Sequence, residues 1–341
     1  MARVFAVVKA LATAFRRDQK SLQSIAGNNF FVVCALLLQQ AGGFIYLVVG
    51  LVLLFPASTD PLRKIPASRL ALWPLDRRQR WVLRAVSPWL NPVSWILAGL
   101  AVWSARGKVT FGLWAVSAGV FAAAFLLSDL PGMPTEALWR LTPGFPGRLN
   151  QLIRKNLREM LSTLDFYCAL ILSLSAAAWR VAGPGLPGEA LLAMTVLVVL
   201  ALSSYAQSLF GLDGAGGLGR YRLLPLAGWQ ILAAKDAAFL LVAMPLVLPL
   251  APLAGLGAAL TALALGHETA VMRPRNQTRW RFSSGASLIF GLFQAALMAA
   301  AASGVFFRGA LVLLPCAAAW AVSLWYYGRY CATRHSPWDA A

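Results

Sequence analysis

Long apolar runs alternate with short basic segments along this chain. Runs of the length a membrane helix needs, about 20 residues across a hydrocarbon layer of about 30 Å, cover 88–104, 110–128, 165–182, 189–210, 284–305 and 309–328. Residues 231–270 are one longer apolar stretch broken by Pro245, Pro249, Pro252 and Gly255, which predicts two spans joined by a tight turn. Run 30–55 is too short for two full spans. A re-entrant or short hairpin breaking near Gln39-Gln40-Ala41-Gly42-Gly43 is expected there. Two further segments are amphipathic at helical spacing: Val4, Val7, Val8, Leu11 and Phe15, and then Leu149, Leu152, Ile153, Leu157, Met160, Leu161 and Leu164. Each carries cations off its stripe and precedes a membrane segment, so each is expected to lie flat at the headgroup level. Residues 1–29 do not have the order of a cleaved signal.

The predicted fold is therefore an all-α polytopic membrane protein. Its parts are an amphipathic interfacial helix (1–29), a membrane region (30–144), an amphipathic connecting helix (145–164), a six-span domain (165–330) and a tail (331–341). The membrane region comprises hairpin 30–55, basic loop 60–84 and spans 88–104 and 110–128.

Composition agrees: 59% of residues are hydrophobic and 12% charged, with mean hydropathy +0.67, against about 25% charged in soluble domains. That excludes a water-soluble enzyme or nucleic-acid-binding protein. The 30 Lys and Arg against 12 Asp and Glu, net +18, then serve to orient the spans. Basic residues concentrate in 60–84, 148–158, 220–235, 273–281 and 329–334, while the opposite ends hold little beyond Arg180 and Arg308. The positive-inside rule makes the rich segments cytoplasmic, facing anionic lipid, and both termini with them. Cys34, Cys168, Cys316 and Cys331 stand singly, without a C-x-x-C pair, so neither a disulfide frame nor a zinc site is expected.

Two basic segments repeat one pattern. Pro74-Leu75-Asp76-Arg77-Arg78-Gln79 reaches Arg84 five residues later, and Pro225-Leu226-Ala227-Gly228-Trp229-Gln230 reaches Lys235 five residues later. Each Pro is expected to open a helix at its first turn, with the terminal cation snorkelling at the membrane boundary. Together with the two amphipathic segments, the repeat suggests two related halves.

Tyr205-Ala206-Gln207-Ser208-Leu209-Phe210-Gly211-Leu212-Asp213-Gly214, then Arg220-Tyr221-Arg222-Leu223-Leu224-Pro225-Leu226, then Gln230-Ile231-Leu232-Ala233-Ala234-Lys235, resemble the ABC-2 class of ABC transporter permeases. That family shows an F-G-x-D segment followed by y-x-L-x-P-[LIV] and [IL]-L-x-x-K on the cytoplasmic link between its second and third spans. Phe145-Pro146-Gly147-Arg148 through Arg158 resembles its membrane-surface connecting helix, and the basic loop bearing Pro274 also fits. The resemblance covers 145–330; residues 1–144 join it only through the repeat. Asp236 and Gly266-His267-Glu268 depart from the family's Asn and Gly-Asn-like patterns.

The resemblance implies a six-span exporter domain in a bacterial inner membrane, paired as a homodimer or heterodimer, with a separate ATP-binding cassette subunit that holds ATP and Mg. It implies a coupling role for Asp213, Arg220, Arg222, Pro225, Leu226, Gln230 and Lys235, with Pro74, Leu75, Gln79 and Arg84 as a weaker counterpart. Independently of family, this Gly-rich, basic segment is the best cytoplasmic docking site in the chain. The cargo expected is lipid-like, glycolipid, peptide or drug-like.

No G-x-x-x-x-G-K-[ST] loop is present, so any ATP hydrolysis belongs to another polypeptide. No catalytic residue, metal site or cofactor is expected in this chain. His267-Glu268 and Lys235-Asp236 read as interfacial and boundary pairs, with proton relay the alternative for the first. Asp213 is either a helix cap or an ATPase contact. Trp103, Trp114, Trp139, Trp179 and Trp325 read as interfacial anchors. The other functional classes left open are a membrane-embedded lipid-processing enzyme and a non-transporting scaffold.

Overall fold

A computed structural model describes residues 2–17, 62, 70, 72–90, 147, 149–182, 187–213, 217–274 and 288–333. Among these the regular structure is helical, with no strand. Hairpin 30–55, span 110–128, most of span 88–104, part of loop 60–84 and loop 275–287 lie outside the described residues. The chain divides into two compact units, one of Met1–Gly27 and Ala41–Asp129, the other of Asn28–Gln40 and Leu130–Ala341.

In the first unit, helix α1 (Ala2–Arg17) packs with α2 (Arg77–Val86) and the 3-10 turn Ser87–Leu90 that follows it. Leu11, Leu62, Leu75 and Leu83 are buried together, with Val7, Val8, Leu70, Trp73 and Leu90 against them. Burying each such leucine stabilises the unit by roughly 1.5–3 kcal/mol. The stripe expected to enter the acyl region is thus met by protein at Val7, Val8 and Leu11, while Phe5 stays 73% exposed.

The second unit holds α3 (Asn150–Leu161), α4 (Leu164–Ala182), α5 (Gly188–Gln207), the 3-10 turn Gly211–Asp213, and α6 (Gly217–Arg222). There follow α7 (Gly228–Val247), α8 (Pro252–Met272), α9 (Leu288–Arg308) and α10 (Leu313–Thr333). The apolar stretch 231–270 breaks where its prolines predict: α7 ends at Val247, and Pro252 opens α8, where a missing N–H costs nothing. The last helix starts four residues later than its apolar run, because Gly309 takes φ +91° and a 3-10 turn, Ala310–Val312, intervenes. Helix α8 is central, contacting α5, α9 and α10. It reaches α5 closely at Gly266, where a β-carbon would overlap the Ala206 carbonyl.

Four helical segments, Gly188–Gln207, Gly228–Val247, Ile289–Arg308 and Ala310–Cys331, are long and apolar enough to cross a membrane. Their burial differs sharply: 78% of the α5 window lies inside the bundle but only 11% of the α10 window. Helix α3 lays Leu152, Leu157, Met160 and Leu161 against the bundle, chiefly α7, so protein also covers the second amphipathic stripe.

Candidate functional site

The base of α7 is assembled from four separate pieces of chain. Helix α3 supplies Lys155 and Asn156, the 3-10 turn supplies Asp213, α6 supplies Arg220 and Tyr221, and α7 supplies Lys235. Lys235 sits eight residues into an apolar helix and is fully buried. Its ammonium donates to Asp213 Oδ2 at 2.9 Å and to Asn156 Oδ1 at 3.0 Å. It lies 4.9 and 5.1 Å from the ring centres of Phe210 and Tyr221. A desolvated ammonium is tolerated only when its donors are met in this way.

Asp213 is the hub. Its Oδ1 accepts from Lys155 Nζ and from the Tyr221 hydroxyl at 2.7 Å, while Arg220 donates to its backbone carbonyl. Burial by itself would raise the carboxyl's pKa. Lys235, with the hydrogen bonds from Lys155, Lys235 and Tyr221, outweighs it and holds Asp213 below the usual carboxylate value. Desolvation, with the same buried carboxylate added to it, pushes the Tyr221 phenol well above its ordinary value.

Above this anchor the chain is exposed. Leu223 is 84% exposed, Leu224 and Pro225 are exposed, and Trp229 is half exposed. A cavity of about 620 Å³ opens between α3 and this turn, lined by Leu152, Lys155, Arg220, Tyr221, Leu224 and Leu226 among others. Asp213 borders the recess as well, and it takes up both cations there, Lys155 on its carboxylate and Arg220 on its backbone carbonyl.

The predicted coupling residues therefore divide into two groups. Arg220, Pro225 and Leu226 reach the surface or the cavity, and Gln230 closes the start of α7 by accepting from the Ala227 N–H at 2.9 Å. Asp213 and Lys235 are held inward: their side chains are 3% and 0% exposed, and Asp213, although it borders the cavity, has its carboxylate taken up by Lys155, Tyr221 and Lys235, so both are anchors. Asp213 is accordingly a hub for donors on α3, α6 and α7, and Lys235 does not snorkel. The side chain of Arg222 is outside the described set. Sequence reasoning missed Lys155, Asn156, Phe210 and Tyr221. The signal available was the aromatic pair flanking Asp213 together with a downstream Lys in an apolar helix, a cation that needs a partner.

Of the adjacent pairs Lys235-Asp236 and His267-Glu268, Glu268 is exposed and the other three side chains are buried in the bundle. Lys235 and Asp236 are both inside, turned to different neighbours. Asp236 accepts from Trp320 Nε1 at 2.8 Å, and both its oxygens face His267 Nε2 at 3.1 Å. His267 is fully buried, with Nδ1 3.0 Å from Ser323 Oγ, whose hydroxyl donates to the Ala264 carbonyl at 2.6 Å. Because Ser323 spends its hydrogen on backbone, the Asp236–His267–Ser323 chain links α7, α8 and α10 as packing. Among the described residues no group of three or more His, Cys, Asp or Glu is placed to hold a metal ion.

The first copy of the repeated pattern folds like the second. Trp73 N–H donates to the Leu70 carbonyl as Leu224 N–H does to Tyr221, and Leu75 donates to Trp73 as Leu226 does to Leu224. Gln79 accepts from the Asp76 N–H at 3.2 Å as Gln230 does from Ala227. Arg80 bonds back to Asp76 as Ile231 does to Ala227. Neither proline opens its helix: α2 begins at Arg77 and α7 at Gly228, three residues on. The Gln at the third helical position is the actual start signal, its amide serving the otherwise orphaned backbone N–H. Arg84, the counterpart of Lys235, is exposed.

Searches against protein-family models, curated proteins and solved structures find no match to this chain.

Proposed function

We propose that this chain is the membrane subunit of an ATP-driven exporter of the ABC-2 type, its six helices α4, α5 and α7–α10 crossing the membrane and its basic end facing the cytoplasm. The observation that carries the reading is the exposed Leu223–Leu226 turn tied through Asp213 to the buried Lys235 of α7. A surface turn fixed to the interior by charged hydrogen bonds passes displacement to the helix instead of absorbing it. That is what a separate ATPase subunit, holding ATP and Mg, requires of its docking point. ATPase closure pushes the turn, and the bundle changes between two packed arrangements. The buried ionisable groups described above are each paired, which disfavours a small-ion path. Lipid-like, glycolipid, peptide or drug-like cargo follows as the expectation.

The test is reconstitution with an ATP-binding cassette subunit. The wild-type chain should recruit it and move cargo only with ATP. Leu223→Asp, at a site where folding has nothing to lose, should cut coupled transport at least about tenfold, the scale of one lost interface anchor. A chain that recruits no such subunit, or a Leu223→Asp variant with intact transport, ends the proposal.

A further inference from the structure

Two surfaces of the chain share more than a short pattern. At an offset of 151 residues, three backbone hydrogen bonds and one glutamine cap recur: Trp73 and Leu224, Leu75 and Leu226, Arg80 and Ile231, and the cap of Asp76 by Gln79 and of Ala227 by Gln230. Leu72, Pro74, Leu75, Gln79 and the final cation match their counterparts across these segments and the other positions differ, so the likeness of backbone extends over positions where the residues are unlike.

The exposed residues recur too. Leu72 is 82% exposed and its counterpart Leu223 is 84% exposed. Trp81 is 49% exposed on α2 and Trp229 is 50% exposed on α7. They are the fifth and second residues of their helices, three apart in register, so they occupy one face a turn apart. Leucine beside an exposed tryptophan is the composition of an interface anchor. The flanking charge is predominantly basic: Arg78, Arg80 and Arg84 are exposed around the first turn beside a single exposed carboxylate, Asp76, and Arg220 is exposed beside the second.

Each turn is also fastened from behind, though by different means. The second hangs on Asp213 and Lys235; the first rests on the apolar cluster of Leu75 and Leu83 with Leu11. The helix that follows each turn packs on an amphipathic helix earlier in the chain, α2 on α1 in one unit and α7 on α3 in the other. An anchored turn of the same shape, apolar tip and surrounding charge suits the same acidic-edged recess on a partner.

We infer that the Leu72–Trp81 surface is a second docking site for another copy of the partner that engages Leu223–Trp229, so that one chain takes two partner copies. This rests on the proposed ATPase coupling and deepens it. The resemblance implies two permeases for two ATPases, whereas here one polypeptide carries both docking turns. The charge and the Leu-Trp pairing define the partner surface as one with an apolar pocket edged by carboxylates.

The experiment is photo-crosslinking in cells expressing the full chain, with benzoylphenylalanine replacing Leu72 in one variant and Leu223 in another, followed by mass spectrometry of the adducts. The expected result is one and the same nucleotide-binding polypeptide at both positions. Gln79→Ala should lower the yield at position 72 about fivefold and leave position 223 unchanged, because a lost helix-start hydrogen bond is worth about 1 kcal/mol. Light scattering on the purified complex should give two partner copies per chain. A partner adduct at 223 with none, a different protein or only lipid at 72 overturns the inference and leaves the coupling proposal standing. A complex with one partner copy per chain does the same. No nucleotide-binding adduct at either position overturns both.

Discussion

Asp213→Asn removes one charge and almost no volume, and so isolates what the hub does. In the native chain Lys235 Nζ lies 2.9 Å from Asp213 Oδ2 with both side chains essentially buried. At an effective dielectric of about 20 that pair is worth roughly 6 kcal/mol of Coulomb attraction. The asparagine oxygen recovers part of it as a neutral hydrogen bond, and Asn156 and the rings of Phe210 and Tyr221 stay in place. What remains is an ammonium inside an apolar bundle without its counter-charge, a loss of about 3–5 kcal/mol. Lys155 adds little, since half of its side chain is in solvent. Unfolding in mixed dodecylmaltoside–SDS micelles should shift by that amount. Lys235→Met alone should cost a similar sum, and the double variant far less than the two together, giving a coupling of at least about 2 kcal/mol. A single-variant cost under about 1 kcal/mol, or additive effects, would refute the claim that Asp213 exists to hold Lys235.

Other consequences are as direct. Asp213 has a lowered pKa in the folded chain, so its contribution is present above its ordinary value of 3.8 and lost as pH falls through the lower folded value. The acid limb of a pH–stability profile should therefore flatten in Asp213→Asn; an unchanged limb contradicts the assignment. Gly266→Leu drives a side chain into the Ala206 backbone and should cost more than about 2 kcal/mol or abolish expression, as overpacking does; normal folding would mean α5 and α8 are not in contact there. Trp320→Phe removes the indole donor to Asp236 and should cost about 1–3 kcal/mol, read by the same detergent unfolding, since it leaves this buried carboxylate with His267 in place of two partners.

The helices of 165–330 were legible because apolar length and proline position are local properties: Pro249 and Pro252 mark the α7–α8 break without knowledge of anything else, although Pro245 is carried inside α7. The start of α10 was not, since the left-handed φ of Gly309 and its 3-10 turn depend on how α9 and α10 meet. Charged residues were the hardest to read. The cation at position 235 has the same neighbours in sequence whether it faces lipid headgroups or a carboxylate 22 residues earlier. Only the fold distinguishes an anchor from a snorkelling side chain. The repeat was visible as three matched positions, but its meaning was misplaced on the prolines, when the glutamines make the shared hydrogen bond.

Lys235 and Asp236 stand side by side on α7 yet grip different neighbours, one reaching back to α3 and the turn before α6, the other across to α8 and α10. Successive side chains leave a helix about 100° apart, so this pair works as a key in two slots cut at an angle. Rolling α7 about its own axis would pull both groups out together and strand opposite charges in hydrocarbon. Tilting it as one piece with its neighbours keeps both seated. Under the proposed coupling, a push on the turn at the start of α7 meets a rod that rocks but does not spin.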